Sequence, residues 1–90
     1  MSEAKPAFAP TYEEAVRLAA PYCRAMVEAD YALSRTDYLE ETCRYHLLER
    51  EYLRCASEAW ATQQMVSALF GVSEEQVDSD VRRAAGIEEE

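Results

Sequence analysis

The feature that most constrains the fold is the stretch from Tyr38 to Phe70, which contains neither glycine nor proline. The whole chain of 90 residues has only two glycines and three prolines, while 49% of its residues are hydrophobic. Glycine and proline most often interrupt helices and form tight turns, so their scarcity favours long helices over a many-stranded sheet. We therefore predict an all-α fold, a small helical bundle, and a chain of this length supplies a single domain.

The first helix is predicted to begin after Thr11, because Thr11 and Glu14 have the spacing of a capping box. Residues 1–10 before it contain two prolines and are expected to form a flexible arm. Pro21 lies in the middle of the apolar pattern of this helix. Since proline removes one ladder hydrogen bond and clashes with the preceding turn, we expect the helix to be kinked or split there.

The second helix is predicted to follow a break after Leu33, with Ser34 or Thr36 as its N-cap. It would then run through the glycine-free stretch from Tyr38 and stop at Gly71, which is typical of a left-handed C-cap. A helix of about thirty residues is longer than the usual globular helix, and whether it is continuous stays open. It is expected to be the central element of the bundle.

A short last helix is predicted after Ser73, where Gln76 completes a second capping box. Two arginines suit its C-terminal turn, and Gly86 is expected to end it. The helical domain would therefore span residues 11–87, with residues 88–90 as an acidic tail.

Four tyrosines follow one another at intervals of seven residues: Tyr31, Tyr38, Tyr45 and Tyr52. An adjacent row with the same interval consists of Leu39, His46, Leu53 and Trp60. Such rows form a wide apolar stripe on a helix. A domain of this size needs large rings in its core, so burial of the tyrosines is the first interpretation. The second is an interface, which makes Tyr38, Tyr45 and Tyr52 candidate partner-binding residues and a homodimer through the long helix an alternative.

The charge of the chain is strongly negative, with 18 acidic and nine basic residues and a formal net charge of -9. This charge repels phosphate backbones, so binding to DNA is not expected, and it suits a protein partner with a basic surface. The acidic bias is concentrated in the C-terminal half, where Glu74, Glu75, Asp78 and Asp80 are the candidate partner-binding carboxylates.

The three cysteines lie within apolar helical patterns and cannot all pair, which predicts reduced thiols and a cytoplasmic location. No apolar run is long enough to cross or enter a membrane. Cys43 and His46 have the i, i+3 spacing of two metal ligands, but no second pair completes a tetrahedral site. We expect neither metal nor cofactor, and a buried, hydrogen-bonded His46 is the simpler interpretation. No catalytic residues are identified, and an enzyme is not expected.

The segment from Val66 to Val81 resembles the helix-turn-helix of bacterial transcription regulators of the DeoR type. The resemblance is carried by an apolar pair before the turn, by the glycine, apolar residue and capping serine of the turn, and by inward positions of the last helix. These residues are Leu69, Phe70, Gly71, Val72, Ser73, Val77, Asp80 and Val81. It implies a helix-turn-helix-like corner. The chain departs from the family in having acidic residues where the recognition helix is usually polar or basic, and in having no strand signal for a wing.

The function expected from these features is that of a small acidic protein-protein interaction or regulatory protein. Size and charge are similar to those of phage and mobile-element inhibitors that act on basic nucleic-acid-binding proteins. The alternative is a helix-turn-helix transcription regulator that binds DNA. A weaker alternative is an enzyme that uses Cys43 and His46. The partner, the pathway and the oligomeric state do not follow from the sequence.

Overall fold

The computed structural model describes residues 10–87, which form three α-helices: α1 (Tyr12–Ser34), α2 (Thr42–Phe70) and α3 (Glu74–Ala84). Across this range no residue is in a β-strand, so the predicted all-α bundle is confirmed. Most of the predicted arm and the whole acidic tail lie outside the described residues. None of the three helices is long and apolar enough to cross a membrane.

The start of α1 is the predicted capping box. The hydroxyl of Thr11 accepts a hydrogen bond from the amide of Glu14 at 3.2 Å, and the amide of Thr11 donates to the Glu14 carboxylate at 2.9 Å. The helix runs through Pro21 without interruption, so of the two outcomes expected at this proline, a kink or a split, the split does not occur. Ala20 and Cys23 on either side of Pro21 are buried, and this packing offsets the local cost of the proline.

The turn between α1 and α2 is longer than predicted. The hydroxyl of Ser34 donates to the carbonyl of Tyr31 at 2.9 Å, and that of Thr36 donates to the carbonyl of Ala32 at 2.8 Å. Both hydroxyls therefore bond to the last turns of α1 instead of capping α2, and the predicted N-caps are wrong. The α2 helix begins only at Thr42 and then continues without a break to Phe70.

The end of α2 is the predicted left-handed cap, in which Gly71 has a φ of 65°. The amides of Gly71 and Val72 both donate to the carbonyl of Ser67, at 2.9 and 3.3 Å. Two residues further on, the Ser73 hydroxyl accepts from the amide of Gln76 at 3.1 Å and begins α3. The chain therefore changes direction within the three residues between α2 and α3.

We expect Gly71→Ala to lower the free energy of unfolding by about 1 to 2 kcal/mol, because a left-handed backbone costs this much for a residue with a Cβ. A Cβ at this position would meet no atom within 4 Å, so the loss reports the backbone conformation alone. Gly71→Asn should lose less, since asparagine tolerates this region better. Urea unfolding followed by circular dichroism measures both, and an alanine variant as stable as wild type would contradict the left-handed cap.

The helices α1 and α2 form an antiparallel hairpin whose core is built from small side chains. The fully enclosed cluster combines all three helices and consists of Ala15, Val16, Ala19, Cys23, Val66, Val77 and Val81. The rings of Tyr12 and Phe70 meet edge to face beside it, with their centroids 5.7 Å apart. Because α3 packs beside the N-terminal part of α1 and the C-terminal part of α2, this cluster lies at one end of the hairpin.

The molecule is elongated, with principal extents of 66, 27 and 17 Å and a radius of gyration of 16.4 Å. A compact chain of this length has a radius of gyration of about 12 Å. The α2 helix has 29 residues and α3 has 11, which correspond to lengths of about 43 and about 16 Å. At most, α3 can therefore cover less than half of the hairpin. Among residues 10–87, only α1 and α2 are present at the end that carries the turn between them.

Candidate functional site

The four carboxylates predicted to bind a partner all lie on α3, and we call them the acidic corner: Glu74, Glu75, Asp78 and Asp80. Glu74 and Glu75 form the first turn of the helix and are exposed, where the helix dipole favours their negative charge. The carboxylate of Glu74 also lies 3.5 Å from the side-chain amide of Gln64 on α2. These two residues are the accessible part of the acidic corner.

The other two carboxylates of the acidic corner are held by neighbouring side chains. Asp78 accepts from the guanidinium of Arg82 at 3.0 Å. Asp80 accepts from the hydroxyl of Tyr12 at 2.6 Å, and the side chains of Gln76 and Arg83 each donate to it at 3.0 Å. Asp80 therefore attaches α3 to the start of α1. Because these three hydrogen bonds occupy its carboxylate oxygens, fewer acceptor positions remain for a partner.

The electrostatics of this contact are those of a neutral phenol beside an ionised carboxylate. Burial, the hydrogen bond to Asp80 and the negative charge of Asp80 together raise the pKa of Tyr12 to about 12. The same hydrogen bond, assisted by those from Gln76 and Arg83, lowers the pKa of Asp80. The ionised Asp80 thus favours the protonated phenol of Tyr12, and the phenol, by donating its hydrogen bond, favours the ionised carboxylate.

The tyrosines predicted as core or interface residues surround the other end of the hairpin. Tyr38 lies in the turn and is exposed, while Tyr45 and Tyr52 lie on α2 and are half-buried. The Tyr38 and Tyr45 rings meet edge to face with centroids 5.1 Å apart. None of these three rings is buried, so the interpretation of the row as a set of core rings is wrong. Within the described range, no third helix reaches this end of the hairpin.

The histidine of the adjacent row belongs to the same group of rings. His46 meets Tyr38 and Tyr45 at centroid distances of 5.5 and 6.0 Å, and its Nδ1 lies 3.4 Å from the carboxylate of Glu49. Its side chain is exposed, so the predicted burial of His46 is wrong. The tyrosines and the acidic corner are not brought together, since the former gather near the turn between α1 and α2 and the latter follows the opposite end of α2.

A third surface lies on the face of α2 that carries Leu53, Ala56, Ser57 and Trp60. Of these four residues, the seven-residue spacing in the sequence indicated only Leu53 and Trp60. We call this surface the Leu53–Trp60 stripe. The exposed fraction is 59% for Leu53 and 60% for Trp60. The sequence feature that could have identified this surface is the width of the apolar pattern on α2. The buried row of α2, which includes Ala59 and Val66, faces α1. Because one neighbouring helix covers only one such row, the adjacent row with Leu53 and Trp60 stays exposed.

Two of the three thiols are buried and poorly suited to nucleophilic chemistry. All three cysteines are free, with Cys23 and Cys55 buried and Cys43 exposed. Burial raises the pKa of both buried thiols, which favours the unreactive protonated form. Among residues 10–87, no group of three or more histidine, cysteine, aspartate or glutamate side chains is placed to hold a metal ion. Cys43 and His46 therefore belong to no such group in this part of the chain.

Positive charge on α2 is largely paired within the helix. The Arg54 guanidinium bonds to Glu51 and lies 3.2 Å from Glu58, and Arg44 lies 3.9 Å from Glu41. These pairs leave no continuous basic surface on the helix. A comparison with known protein families, with curated proteins and with solved structures found no match to this chain.

Proposed function

We propose that this chain is a protein-binding regulatory protein that uses the acidic corner to dock on a basic surface of its partner. The single observation that carries the proposal is the exposed pair Glu74 and Glu75 at the first turn of α3. Carboxylates at a protruding helix end meet a partner without first being removed from an internal ion pair. Electrostatic complementarity of this kind raises the association rate and selects among partners.

The wider charge distribution supports the same proposal. The formal net charge is -9, and the arginines of the last turn of α3 are already engaged with aspartates of the same helix: Arg82 with Asp78 and Arg83 with Asp80. The local surplus is therefore negative. A basic protein, such as one that binds nucleic acid, is the class of partner that this field attracts over distance. Inhibition of such a partner by occupying its nucleic-acid-binding surface is the regulatory mode we favour.

The alternative is a DNA-binding regulator of the helix-turn-helix class. A specific observation favours it: only the three residues Gly71, Val72 and Ser73 separate α2 from α3, and helix-turn-helix motifs have turns of this length that often contain glycine. The exposed start of α3 is acidic, however, and would meet phosphate repulsion in a DNA groove. We therefore expect no measurable binding to duplex DNA at physiological salt.

The proposal is tested by affinity capture from a lysate of the organism that encodes the chain, with the captured proteins identified by mass spectrometry. We expect a basic partner whose association slows as salt is added, because the Debye length shortens to about 8 Å at physiological ionic strength. Neutralising the corner with Glu74→Gln and Glu75→Gln should weaken that complex, chiefly through a slower association rate.

The matched control is Glu28→Gln with Asp30→Asn, which removes the same charge from exposed positions of α1. It should affect the association rate much less, since Glu28 lies beside Ala84, at the opposite end of α3 from Glu74 and Glu75. Equal effects of the two pairs would mean that only the overall charge matters and would contradict a docking site at the corner. Sub-micromolar, sequence-dependent binding in a fluorescence anisotropy titration with duplex DNA would instead support the regulator.

A further inference from the structure

One long segment of the hairpin contains no buried side chain. Among residues 10–87, the buried side chains fall into two ranges, residues 15–29 and residues 55–85, and every residue from Asp30 to Arg54 is half-buried or exposed. This segment comprises the end of α1, the turn and the first part of α2. We call residues 30–54 the turn end, and the rest of the hairpin together with α3 the α3 end. The enclosed cluster lies in the α3 end.

The hydrogen bonds of the turn end are all local. Each side-chain hydrogen bond made by residues 30–54 joins groups no more than four positions apart along the chain. In the α3 end, by contrast, Tyr12 donates to Asp80 at 2.6 Å, and Arg24 donates to the carbonyl of Ala85 at 2.5 Å. Within the described residues, long-range side-chain hydrogen bonds therefore stabilise the α3 end and not the turn end.

The helix that begins in the turn end has no side-chain cap. Glu41 occupies the N-cap of α2 without making a capping hydrogen bond, and the first turn of this helix contains no acidic residue. Arg44 lies in that turn instead, where the positive end of the helix dipole disfavours a cation. The other two helices begin with side-chain caps from Thr11 and Ser73. The start of α2 is therefore the least supported of the three helix starts.

We propose that the turn end opens and closes as one unit while the α3 end stays folded. Opening breaks no enclosed core and no long-range hydrogen bond, and it releases the conformational entropy of the whole segment. Such local opening is least costly where buried contacts are few. The two sides open together because each packs against the other without a third helix, and a short helical segment alone is marginally stable in water.

The opening leaves the acidic corner in place, because Glu74 and Glu75 lie in the α3 end. The inference therefore goes beyond the proposed function and does not rest on it. The group of rings formed by Tyr38, Tyr45 and His46 belongs to the closed state, because it joins the turn to α2. A molecule that binds these rings together shifts the population towards the closed state.

Native-state hydrogen exchange of the full chain tests the proposal. We expect the amides of residues 46–54 to have protection factors at least about a hundredfold lower than those of residues 60–70, although both ranges belong to the same helix. Protection should be similar across residues 46–54 and should fall equally with urea, because one opening exposes all of these amides. Equal protection in the two ranges, or protection that rises steadily from residue 46 to residue 70, would overturn the proposal.

Two variants distinguish this opening from unfolding of the whole chain. Val77→Ala weakens the cluster that is intact in both states, so it should lower the protection of residues 60–70 about tenfold and leave that of residues 46–54 unchanged. Glu41→Ser combined with Arg44→Glu supplies the missing capping box and should raise the protection of residues 46–54 about tenfold. An equal loss in both ranges in Val77→Ala, or no gain from the capping box, would contradict a separate unit.

Digestion with trypsin gives an independent measurement at matched sites. Arg44 and Arg50 lie in the turn end and Arg17 and Arg24 in the α3 end, and all four are exposed residues of helices. A protease cleaves the transiently opened state of such a segment. In Arg35→Gln, which removes the cleavage site in the turn itself, cleavage after Arg44 and Arg50 should begin at least about tenfold faster than after Arg17 and Arg24. Equal initial rates at the two pairs of sites would show that the turn end does not open separately.

Discussion

Val77→Asp should lower the free energy of unfolding by about 4 kcal/mol, because it leaves an unpaired carboxylate in the buried cluster that all three helices share. Val77 has an exposed fraction of 0% and packs in the cluster that joins α3 to the hairpin. Domains of this size have a total stability of about 5 to 13 kcal/mol. We therefore expect the midpoint of the urea transition, followed by circular dichroism, to fall by about a third or more of its wild-type value.

The control for this prediction is Leu47→Asp, which introduces the same carboxylate on the exposed surface of α2. Surface substitutions of this kind change stability by about 0.5 kcal/mol or less. Val77→Ala should fall between the two, since it removes methyl groups from the core without adding charge. A Val77→Asp variant within about 1 kcal/mol of wild type would mean that α3 is not docked as described.

Tyr12→Ala should cost about 3 kcal/mol, because it removes the edge-to-face contact with Phe70 and the hydrogen bond to Asp80. Tyr12→Phe keeps the ring and loses only the hydrogen bond, so it should cost about 1 to 2 kcal/mol. Urea unfolding of the two variants separates the contributions of packing and hydrogen bonding. Equal losses in both would contradict a packing role for the ring.

The same contact predicts a dependence of stability on alkaline pH. The pKa of Tyr12 in the folded protein is about 12, above its ordinary value of 10.0. The stabilisation is therefore fully present below pH 10 and is lost as the pH rises through about 12. Ultraviolet titration should show a phenol that ionises near pH 12 and is missing in Tyr12→Phe. A Tyr12 phenol that ionises near pH 10 would contradict the hydrogen bond.

The contact also predicts an effect at acid pH with the opposite sign. Its hydrogen bonds lower the pKa of Asp80 in the folded protein. The corresponding stabilisation is present above the ordinary pKa of an aspartate and is lost as the pH falls through the lowered value. Asp80→Asn should therefore flatten the acid limb of the stability profile. An unchanged acid limb would show that Asp80 does not contribute through its charge.

The helix ends that were predicted correctly are those whose signals are local. Thr11, Gly71 and Ser73 each act on backbone groups within a few residues along the chain, so spacing in the sequence was enough to identify them. The start of α2 was missed for a related reason. The hydroxyls of Ser34 and Thr36 can serve either the end of one helix or the start of the next, and both bond backward to α1.

The candidate sites were predictable only as lists of residues. Seven-residue spacing correctly grouped Leu53 with Trp60, and the acidic bias correctly located carboxylates on the last helix. Neither pattern indicates which of these side chains are buried by a neighbouring helix. The burial predicted for His46 and the tyrosines was wrong because burial is set by the length of α3 and by the place where it packs, and no local pattern contains that information.

By itself, therefore, the sequence determined the helical class, the caps at Thr11, Gly71 and Ser73, and the acidic character of α3, since these follow from backbone and side-chain preferences over one or two turns. Only the tertiary structure decided that Asp80 is engaged by Tyr12 while Glu74 and Glu75 stay exposed. It also decided that Leu53 and Trp60 remain uncovered. The physical reason is that α3 is much shorter than α2, so it can bury one end of the hairpin and cannot reach the other.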